Sequence, residues 1–551
     1  MINRFREFNC DKREFLKKNS MYLSHKIILV LIVILPHTVL ADVVLNTIFS
    51  DHMVIQRETE IPIWGWADPS EDITVSGSWG EGAKVVAAAD GTWRVDLKTP
   101  KAGGPYSITI SGKNIIHIKD VLSGEVWLCT GQSNMDFALD KFLNDSREPQ
   151  YQPLVEYIRE EVSTANDDQI RHIEVLQNTS LYEKKPDFQG QWISATQGQI
   201  GKITATGYFF AKELRKELNV PIGLVECSWG GTRIQPWISA EAYLADENLK
   251  DYFKANRKEI KETIERLDAE DYRDTIYESQ LASWKENGEK GRKPRPTDHP
   301  REDRQVPATL YNGMLNSIIP YAIKGAIWYQ GESNAVYMPE EYEDFFTTMI
   351  NSWRADWNQG DFSFYWAQLA ACQRGNEEAD DGWATVNNEL RKSLKLPNTG
   401  MAVLHDIGEA KDIHPHNKID AGKRLALWAL EKDYHKKVAA VSGPLYNSHK
   451  VKGDKIQVDF SEAGSGLMVG HKHLLDEAVT VNEPLKWFEI LGQNGEWIPA
   501  EAKIISKNII EVWNSSVSDP VHVRYAWSGN PQGANLYNKE GLPAAVFSTE
   551  E

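Results

Sequence analysis

The chain has 551 residues, which is too long for a single hydrophobic core, so two to four domains are expected. Its composition is that of an ordinary globular protein, with 41% hydrophobic and 25% charged residues. The formal net charge of −18 argues against nucleic acid or an anionic membrane surface as a partner. The four cysteines, one of them Cys10 near the N-terminus, do not indicate a disulfide scaffold.

Residues 1–41 have the pattern of a secretory signal peptide. Lys26 precedes the apolar run Ile27–Leu35, and Ala41 lies at the end of a small-residue cleavage site. A chain starting at Met21 would carry the same peptide. The run is short for a membrane span, although an uncleaved anchor is the alternative. We therefore expect a secreted or periplasmic protein with no stable membrane insertion after cleavage.

Residues 42–120 predict an N-terminal β module. Short apolar segments are separated by turn signals such as Asp90-Gly91, a spacing typical of a small sandwich. The predicted segments are Val54–Ile55, Ile61–Trp66, Ile73–Ser76, Trp93–Leu97, Tyr106–Ile110 and Ile115–Ile118.

Residues 121–432 predict an α/β domain, because apolar strands now alternate with helical stretches such as Thr206–Leu218 and Asn417–Leu430. Such alternation favours a mostly parallel sheet with helices on both faces. The predicted strands are Glu125–Thr130, His172–Leu176, Ile222–Cys227, Gly325–Tyr329, Ser363–Leu369 and Met401–His405.

Residues 240–305 interrupt this alternation as a highly charged insertion. Helical periodicity over Leu249–Leu267 is followed by a Gly-, Lys- and Pro-rich run that favours an exposed loop. The charges are typical of a solvated face, and a lid over the site is the alternative. Residues 433–551 return to alternating apolar and polar segments and predict a C-terminal β module.

Polar, glycine-bearing loops follow the predicted parallel strands. Gly131-Gln132-Ser133-Asn134 follows one strand, Gly230-Gly231 another, Gly331-Glu332-Ser333-Asn334 a third, and Asp412 and His414 lie beyond the last. In an open α/β sheet, ligands bind beyond the carboxyl ends of the strands. The sequence therefore predicts one site built from these loops.

The residues in these loops fit acyl transfer. Serine needs a base within hydrogen-bond reach, and His414 can serve Ser133 in that role. Asp412 is the nearest candidate to orient the histidine; Asp406, Glu332 or a Ser–His dyad are the alternatives.

An oxyanion intermediate needs hydrogen-bond donors. The backbone N–H groups of Ser133 and of one glycine in Gly230-Gly231, with the side-chain amide of Asn334, are the candidates.

Four blocks carry a specific resemblance: Gly131-Gln132-Ser133-Asn134-Met135, Gly230-Gly231-Thr232, Gly331-Glu332-Ser333-Asn334 and Asp412-Ile413-His414-Pro415. Together they resemble the SGNH hydrolase superfamily and, within it, the sialate O-acetylesterase family. The resemblance extends from about Leu45 to the C-terminus. It implies a flavodoxin-like sheet flanked by β-sandwich-like modules.

The resemblance also implies roles for individual residues. Ser133 would be the nucleophile, Gly231 and Asn334 would complete the oxyanion hole with Ser133, and His414 would be the base. In the superfamily the acid stands three residues before the histidine, where this chain has Lys411. The chain departs from the superfamily pattern at this position, so the resemblance does not identify the acid.

The residues predict a serine acyl-transfer enzyme, and the resemblance implies an esterase that removes O-acetyl groups from carbohydrates, with sialic acids as the expected substrates. The reaction needs neither a metal nor a cofactor. The residues expected to contact substrate are Arg233, Gln235, Trp237, Gln330 and Gln368, with Arg233 a partner for the substrate carboxylate. Acetylated xylan or pectin is the alternative substrate, and a non-catalytic glycan-binding protein is the alternative class.

Overall fold

The structure is a computed structural model that describes residues 42–145, 148–269, 273–291, 293–296, 299–373 and 382–550. The expected signal peptide, residues 1–41, lies outside the described residues. Within the described ranges, no helix is both long enough and apolar enough to cross a membrane.

The N-terminal part is all β, as its alternating pattern predicts. The strand Thr92–Lys98 shows the reason: its apolar side chains Trp93, Val95 and Leu97 are buried, and the polar ones between them face solvent. The strands of this part are β1 Val44–Leu45, β2 Val54–Gln56, β3 Glu60–Trp66, β4 Asp72–Gly77, β5 Gly82–Val86, β6 Thr92–Lys98, β7 Gly103–Ser111 and β8 Ile115–Gly131.

Strand β8 joins this part to the rest of the molecule. Its first half pairs with β7, and its second half, from Glu125 onward, pairs with strands of the central sheet. The expected boundary at residue 120 thus falls inside one continuous strand. The N-terminal strands also share a single hydrophobic core with the central sheet.

The central sheet is parallel apart from one edge strand. Its further strands are β9 Asn166–Glu174, β10 Ile193–Thr196, β11 Ile222–Ser228, β12 Gly325–Tyr329, β13 Ser363–Ala367 and β14 Thr399–Ala402. They lie in the order β10-β9-β11-β8-β12-β13-β14, with β10 antiparallel to β9.

This order corrects the expected flavodoxin-like one. In the flavodoxin order the first strand lies between the second and the third. Here β11 lies between β8 and β9, so the connection from β8 to β9 crosses two strand spacings, about 10 Å. Strand β8 therefore lies between β11 and β12, where the chain switches direction across the sheet.

Helices cover both faces of the sheet. On one face, the ring centre of Phe364 in β13 lies 5.9 Å from that of Trp353, in the helix Tyr342–Trp357. On the other face, the ring centre of the next residue, Tyr365, lies 6.4 Å from that of Trp428, in the helix Lys418–Lys432. The helices are α1 Ser133–Asp136, α2 Gln152–Thr164, α3 Ala205–Leu218, α4 Ala240–Ala245, α5 Lys250–Leu267, α6 Thr275–Glu286, α7 Thr309–Gly313, α8 Tyr342–Trp357, α9 Trp383–Lys392 and α10 Lys418–Lys432.

The charged insertion is helical, with α5 packed through Phe253, Ile260 and Ile264, whereas α6 has no buried side chain. The C-terminal part forms three antiparallel sheets around a second core. Its strands are β15 Leu445–Lys452, β16 Lys455–Ser461, β17 Leu467–His471, β18 Val479–Thr480, β19 Phe488–Gly492, β20 Trp497–Pro499, β21 Glu501–Ile504, β22 Ile509–Trp513, β23 Pro520–Tyr525, β24 Leu536–Asn538 and β25 Phe547–Ser548.

Candidate active site

Ser133 lies on a tight turn at the carboxyl end of β8. Gly131 ends the strand with φ +135°, and a Cβ at this position would lie 2.2 Å from the carbonyl oxygen of Tyr329, so only glycine fits. The N–H of Gln132 donates to the same carbonyl over 3.0 Å. Thr206, at the start of α3, donates to the carbonyl of Asn134 over 2.9 Å. The nucleophile turn is thus held from both sides.

The structure brings Ser133 and His414 together. Ser133 Oγ lies 2.8 Å from His414 Nε2, although the two residues are 281 positions apart in the chain. For Nε2 to accept the serine proton, the ring hydrogen must be on Nδ1. The ring of Phe137 lies 4.3 Å from the imidazole and packs against it.

Asp412 is the carboxylate beside Nδ1 of the histidine. Its Oδ1 lies 3.5 Å from His414 Nδ1 and accepts the backbone N–H of His414 over 2.9 Å. The side-chain contact is long for a hydrogen bond, but such contacts in free enzymes often tighten when substrate binds.

The two alternative acids have other partners. Asp406 forms a buried two-point ion pair with Arg424, at 2.6 and 2.8 Å, which holds its pKa below the usual value despite burial. Glu332 accepts a hydrogen bond from the side chain of Asn134, and burial raises its pKa. Of the three carboxylates proposed from the sequence, Asp412 is the one placed against the histidine ring.

The glycine turn after β11 lies next to the nucleophile. The N–H of Gly230 donates to Asp136 over 3.2 Å, and burial raises the pKa of that carboxyl. Gly231 lines the same pocket as Ser133 and has φ +73°. Gln305 fixes this turn: its amide donates to the carbonyl of Gly231 over 2.7 Å and accepts the N–H of Arg233 over 3.0 Å.

Asn334 is not brought to the pocket, which corrects its expected place in the oxyanion hole. The residue is fully buried, and its Nδ2 donates to Gln235 Oε1 and to the carbonyl of Tyr337. Its Oδ1 accepts the N–H of Ile234 over 2.9 Å, which fixes the orientation of the amide. Asn334 thus supports the loop after β11 from behind.

Four of the five expected substrate contacts are also buried behind the site. Gln235 and Gln330 bond to Asn334, and the indole of Trp237 donates to Thr232. Gln368 donates to the carbonyls of Asn387 and Val546. Their polar groups bond mainly within these loops, and all four side chains are buried away from the pocket. Arg233 alone among the five lines the pocket.

The pocket above Ser133 has a volume of about 420 Å³, enough for a sugar ring and its substituents. It is lined by Gln132, Ser133, Phe137, Gly231, Arg233, Gln305, Glu332, Ser333, Val336, Ile413 and His414.

A family model described as carbohydrate esterase, sialic acid-specific acetylesterase matches residues 123–269 and 295–431. The chain belongs to this family. The match includes Ser133, Gly231 and His414, and the sequence prediction of a carboxylic ester hydrolase of this kind is confirmed.

Sequence similarity to known esterases extends over nearly the whole chain. The chain is 28% identical to the mouse sialate O-acetylesterase and 27% identical to the human one, in both cases over 90% of this chain, and over 92% and 91% of those proteins. The crystal structure of a carbohydrate acetylesterase from Xanthomonas citri superposes with a TM-score of 0.73 at 33% identity. That match covers 92% of this chain and all of the other.

Several pocket residues of the esterase were missed from the sequence. Phe137 and Val336 are apolar residues that follow the nucleophile and Glu332 loops, where the sequence reasoning looked only for polar groups. Gln305 closes the charged insertion, 74 residues beyond Gly231. In the sequence, no local signal marked any of the three.

Proposed function

We propose that this esterase removes O-acetyl groups from sialic acids through an acetyl-Ser133 intermediate. The single observation that carries the proposal is the 2.8 Å contact between Ser133 Oγ and His414 Nε2 at the wall of a sugar-sized pocket. The names of the mammalian relatives support sialic acid as the substrate class.

The geometry supports a two-step reaction. Ser133 Oγ attacks the acetyl carbonyl carbon while its proton moves to Nε2 of His414. The bond between the acetyl carbon and the sugar oxygen then breaks, and the sugar oxygen takes the proton from Nε2. A water molecule next attacks the acetyl-enzyme, gives a proton to Nε2, and releases acetate as Ser133 recovers its proton.

Two backbone groups are suited to the oxyanion. The N–H of Ser133 opens the first turn of α1, where N–H groups have no acceptor within the helix. The N–H of Gly231 comes from the turn held by Gln305. Such preorganised donors act without reorganising during the reaction. Asn334 acts indirectly, through the loop that it supports.

Two arginines support an acidic sugar as substrate. Arg233 lies 3.6 Å above the ring of Tyr337, and Arg304 lies 5.7 Å above the ring of Trp229. The Arg304 guanidinium approaches Gly231, since a Cβ on that glycine would be 3.4 Å away. Within the described part of the chain, neither guanidinium forms an ion pair, and both can therefore receive a carboxylate.

We also propose an SGNH-type esterase domain and a secreted or periplasmic location. The esterase domain is of the SGNH type, which is supported by the placement of three of the four blocks at the ends of β8, β11 and β12 and by the contact of the fourth with Ser133. The protein is secreted or periplasmic, which is supported by the apolar run and small-residue cleavage site in residues 1–41.

The test compares 9-O-acetylated sialic acid with its methyl ester, which has the same acetyl group but no carboxylate. We expect acetate release from the acid with a kcat/KM at least about tenfold higher than from the methyl ester, since a charge-assisted pair contributes 1.5–3 kcal/mol. In the Arg233→Gln/Arg304→Gln double variant this ratio should fall towards one.

Arg301→Gln is the matched control. Arg301 stands on the same segment as Arg304 but pairs with Asp268 at 2.9 Å, so its loss should leave the ratio unchanged. Release from acetylated xylan alone would reject sialic acid as the substrate while keeping the esterase chemistry. Binding of acetylated sugars without any Ser133-dependent release would reject the proposal as a whole.

A further inference from the structure

The main chain on both sides of His414 is held by buried side chains. Before the histidine, the carbonyl oxygen of Ile413 accepts a hydrogen bond from Asn134 Nδ2 over 3.0 Å. After it, the carbonyl oxygen of Pro415 accepts one from Lys418 Nζ over 2.7 Å. These two contacts hold the peptide unit directly before the base and the peptide unit one residue after it.

The two side chains are joined to each other. Lys418 Nζ donates to Asn134 Oδ1 over 2.7 Å, and Asn134 directly follows the nucleophile Ser133. The second hydrogen of Asn134 Nδ2 is directed at Glu332, from the loop after β12. The orientation of this amide is fixed by chemistry, because its oxygen faces an ammonium group and its nitrogen faces a carboxylate and a carbonyl.

The network is shielded from water. Lys418 is 0% exposed, and Asn134 and Glu332 are each 2% exposed. Bonds in such an environment are stronger than at the surface, and groups left unpaired there are costly. The network therefore links the nucleophile turn, the histidine loop and the loop after β12 as one rigid unit.

We propose that Lys418 and Asn134 are positioning residues that hold His414 in register with Ser133. The inference rests on the proposed esterase mechanism, in which Nε2 of His414 must stay within hydrogen-bond distance of Ser133 Oγ. Neither residue contacts the reacting atoms: Asn134 acts through the carbonyl of Ile413 and Lys418 through the carbonyl of Pro415.

Lys418 can fill this role whether its amine is protonated or neutral. Burial lowers its pKa to about 7, against the opposing pull of Glu409, Glu332 and Asp412. Both an ammonium and an amine can donate to the two acceptors, Asn134 Oδ1 and the Pro415 carbonyl. The contacts therefore do not depend on the charge.

The test measures kcat and KM of Lys418→Met, Asn134→Ala and the double variant in the full chain, with 4-nitrophenyl acetate as the probe. We expect each single change to lower kcat about 10- to 100-fold and to change KM less than about threefold, since misplacing a catalytic group by 1 Å has effects of this size. The double variant should lose little more than the worse single variant, because both residues act through one network.

Lys472→Met is the matched control. The side chain of Lys472 is also largely buried next to α10, but it pairs with Asp420 at 3.0 Å and not with a carbonyl of the histidine loop. It should lower thermal stability and leave kcat unchanged. If Lys418→Met does not fold, Lys418→Gln keeps a donor at this position and should restore folding with a kcat between those of the wild type and Asn134→Ala.

The outcomes separate this inference from the proposed function. Wild-type kcat in Lys418→Met or Asn134→Ala, or fully additive losses in the double variant, would overturn the inference and leave the esterase mechanism intact. Absence of Ser133-dependent turnover of the aryl ester by the wild type would instead refute the mechanism itself.

Discussion

The two ends of the central sheet each have a pocket, and the larger one is not the candidate site. At the amino ends of β12 and β13 lies a pocket of about 640 Å³, lined by residues such as Arg57, Lys324 and Asp433. The pocket above Ser133, at the carboxyl ends, has about 420 Å³. Volume alone would therefore select the wrong end of the sheet.

The pockets differ in how their polar groups are engaged. At the amino end, Asp433 accepts hydrogen bonds from Ser363 and Tyr365, and Arg57 pairs with the buried Glu125. At the carboxyl end, a serine faces a histidine, and two arginines stand without ion-pair partners among the described residues. The functional site is distinguished by side chains that are held in position and can still bind or react with a ligand.

Replacing Ser133 by alanine should have the largest effect and tests directly which of the two pockets is the active site. We expect acetate release to fall at least about 10⁴-fold, because the nucleophile is lost while the fold is kept. Binding of the acetylated sugar, measured by titration calorimetry, should change little. Residual turnover that depends on residues of the amino-end pocket would show that the site has been assigned to the wrong end.

Asp412→Asn should lower kcat about 100-fold without loss of stability, since an amide no longer orients the Nδ1 hydrogen of His414. Asp406→Asn is the contrasting change: it breaks the buried pair with Arg424 and should lower the free energy of unfolding by about 3–5 kcal/mol. Kinetics below the melting temperature and urea unfolding separate the two. Equal kcat losses in both variants would contradict the assignment of the acid.

The sequence was sufficient for the strands that carry the site. Gly325–Tyr329 was predicted with the observed bounds and Ile222–Cys227 to within one residue, because both are short apolar runs followed by glycine or polar residues. Ser133 and His414 could be paired because serine chemistry requires a base. The strand order could not be predicted in the same way. In the structure β11 lies between β8 and β9, and nothing in the local sequence pattern of these strands distinguishes this order from the flavodoxin one.

The sequence also could not show which loop side chains point into the pocket and which point away from it. Gln235, Gln330 and Asn334 are amides in polar loops, as ligand-binding residues often are, but here they bond to one another and to backbone. Arg304 reaches the glycine turn from the end of the insertion, a long-range contact that no local spacing encodes. Such contacts depend on packing between distant segments, and they need coordinates.

The buried Lys418 should make the stability of the protein depend on pH. Its pKa is about 7 in the folded protein and 10.5 in the reference state, so the unfolded chain binds more protons between these values. Stability of the wild type relative to Lys418→Met should therefore rise with pH, by roughly 2 kcal/mol between pH 7 and pH 9. Urea midpoints of both proteins at the two pH values measure the difference. A constant difference would show that the lysine is not desolvated as the structure implies.

Tyr365→Phe should have the smallest effect and tests the amino-end pocket directly. The Tyr365 hydroxyl donates to Asp433 Oδ2 over 2.7 Å, and its loss should lower the free energy of unfolding by about 1.5 kcal/mol. Because this pocket is treated as structural, kcat/KM should stay within about twofold of the wild type. Tyr182→Phe, at an exposed tyrosine, is the control and should change neither quantity. A selective fall in kcat/KM for Tyr365→Phe, measured well below the melting temperature, would mean that the pocket at the amino end of the sheet takes part in function.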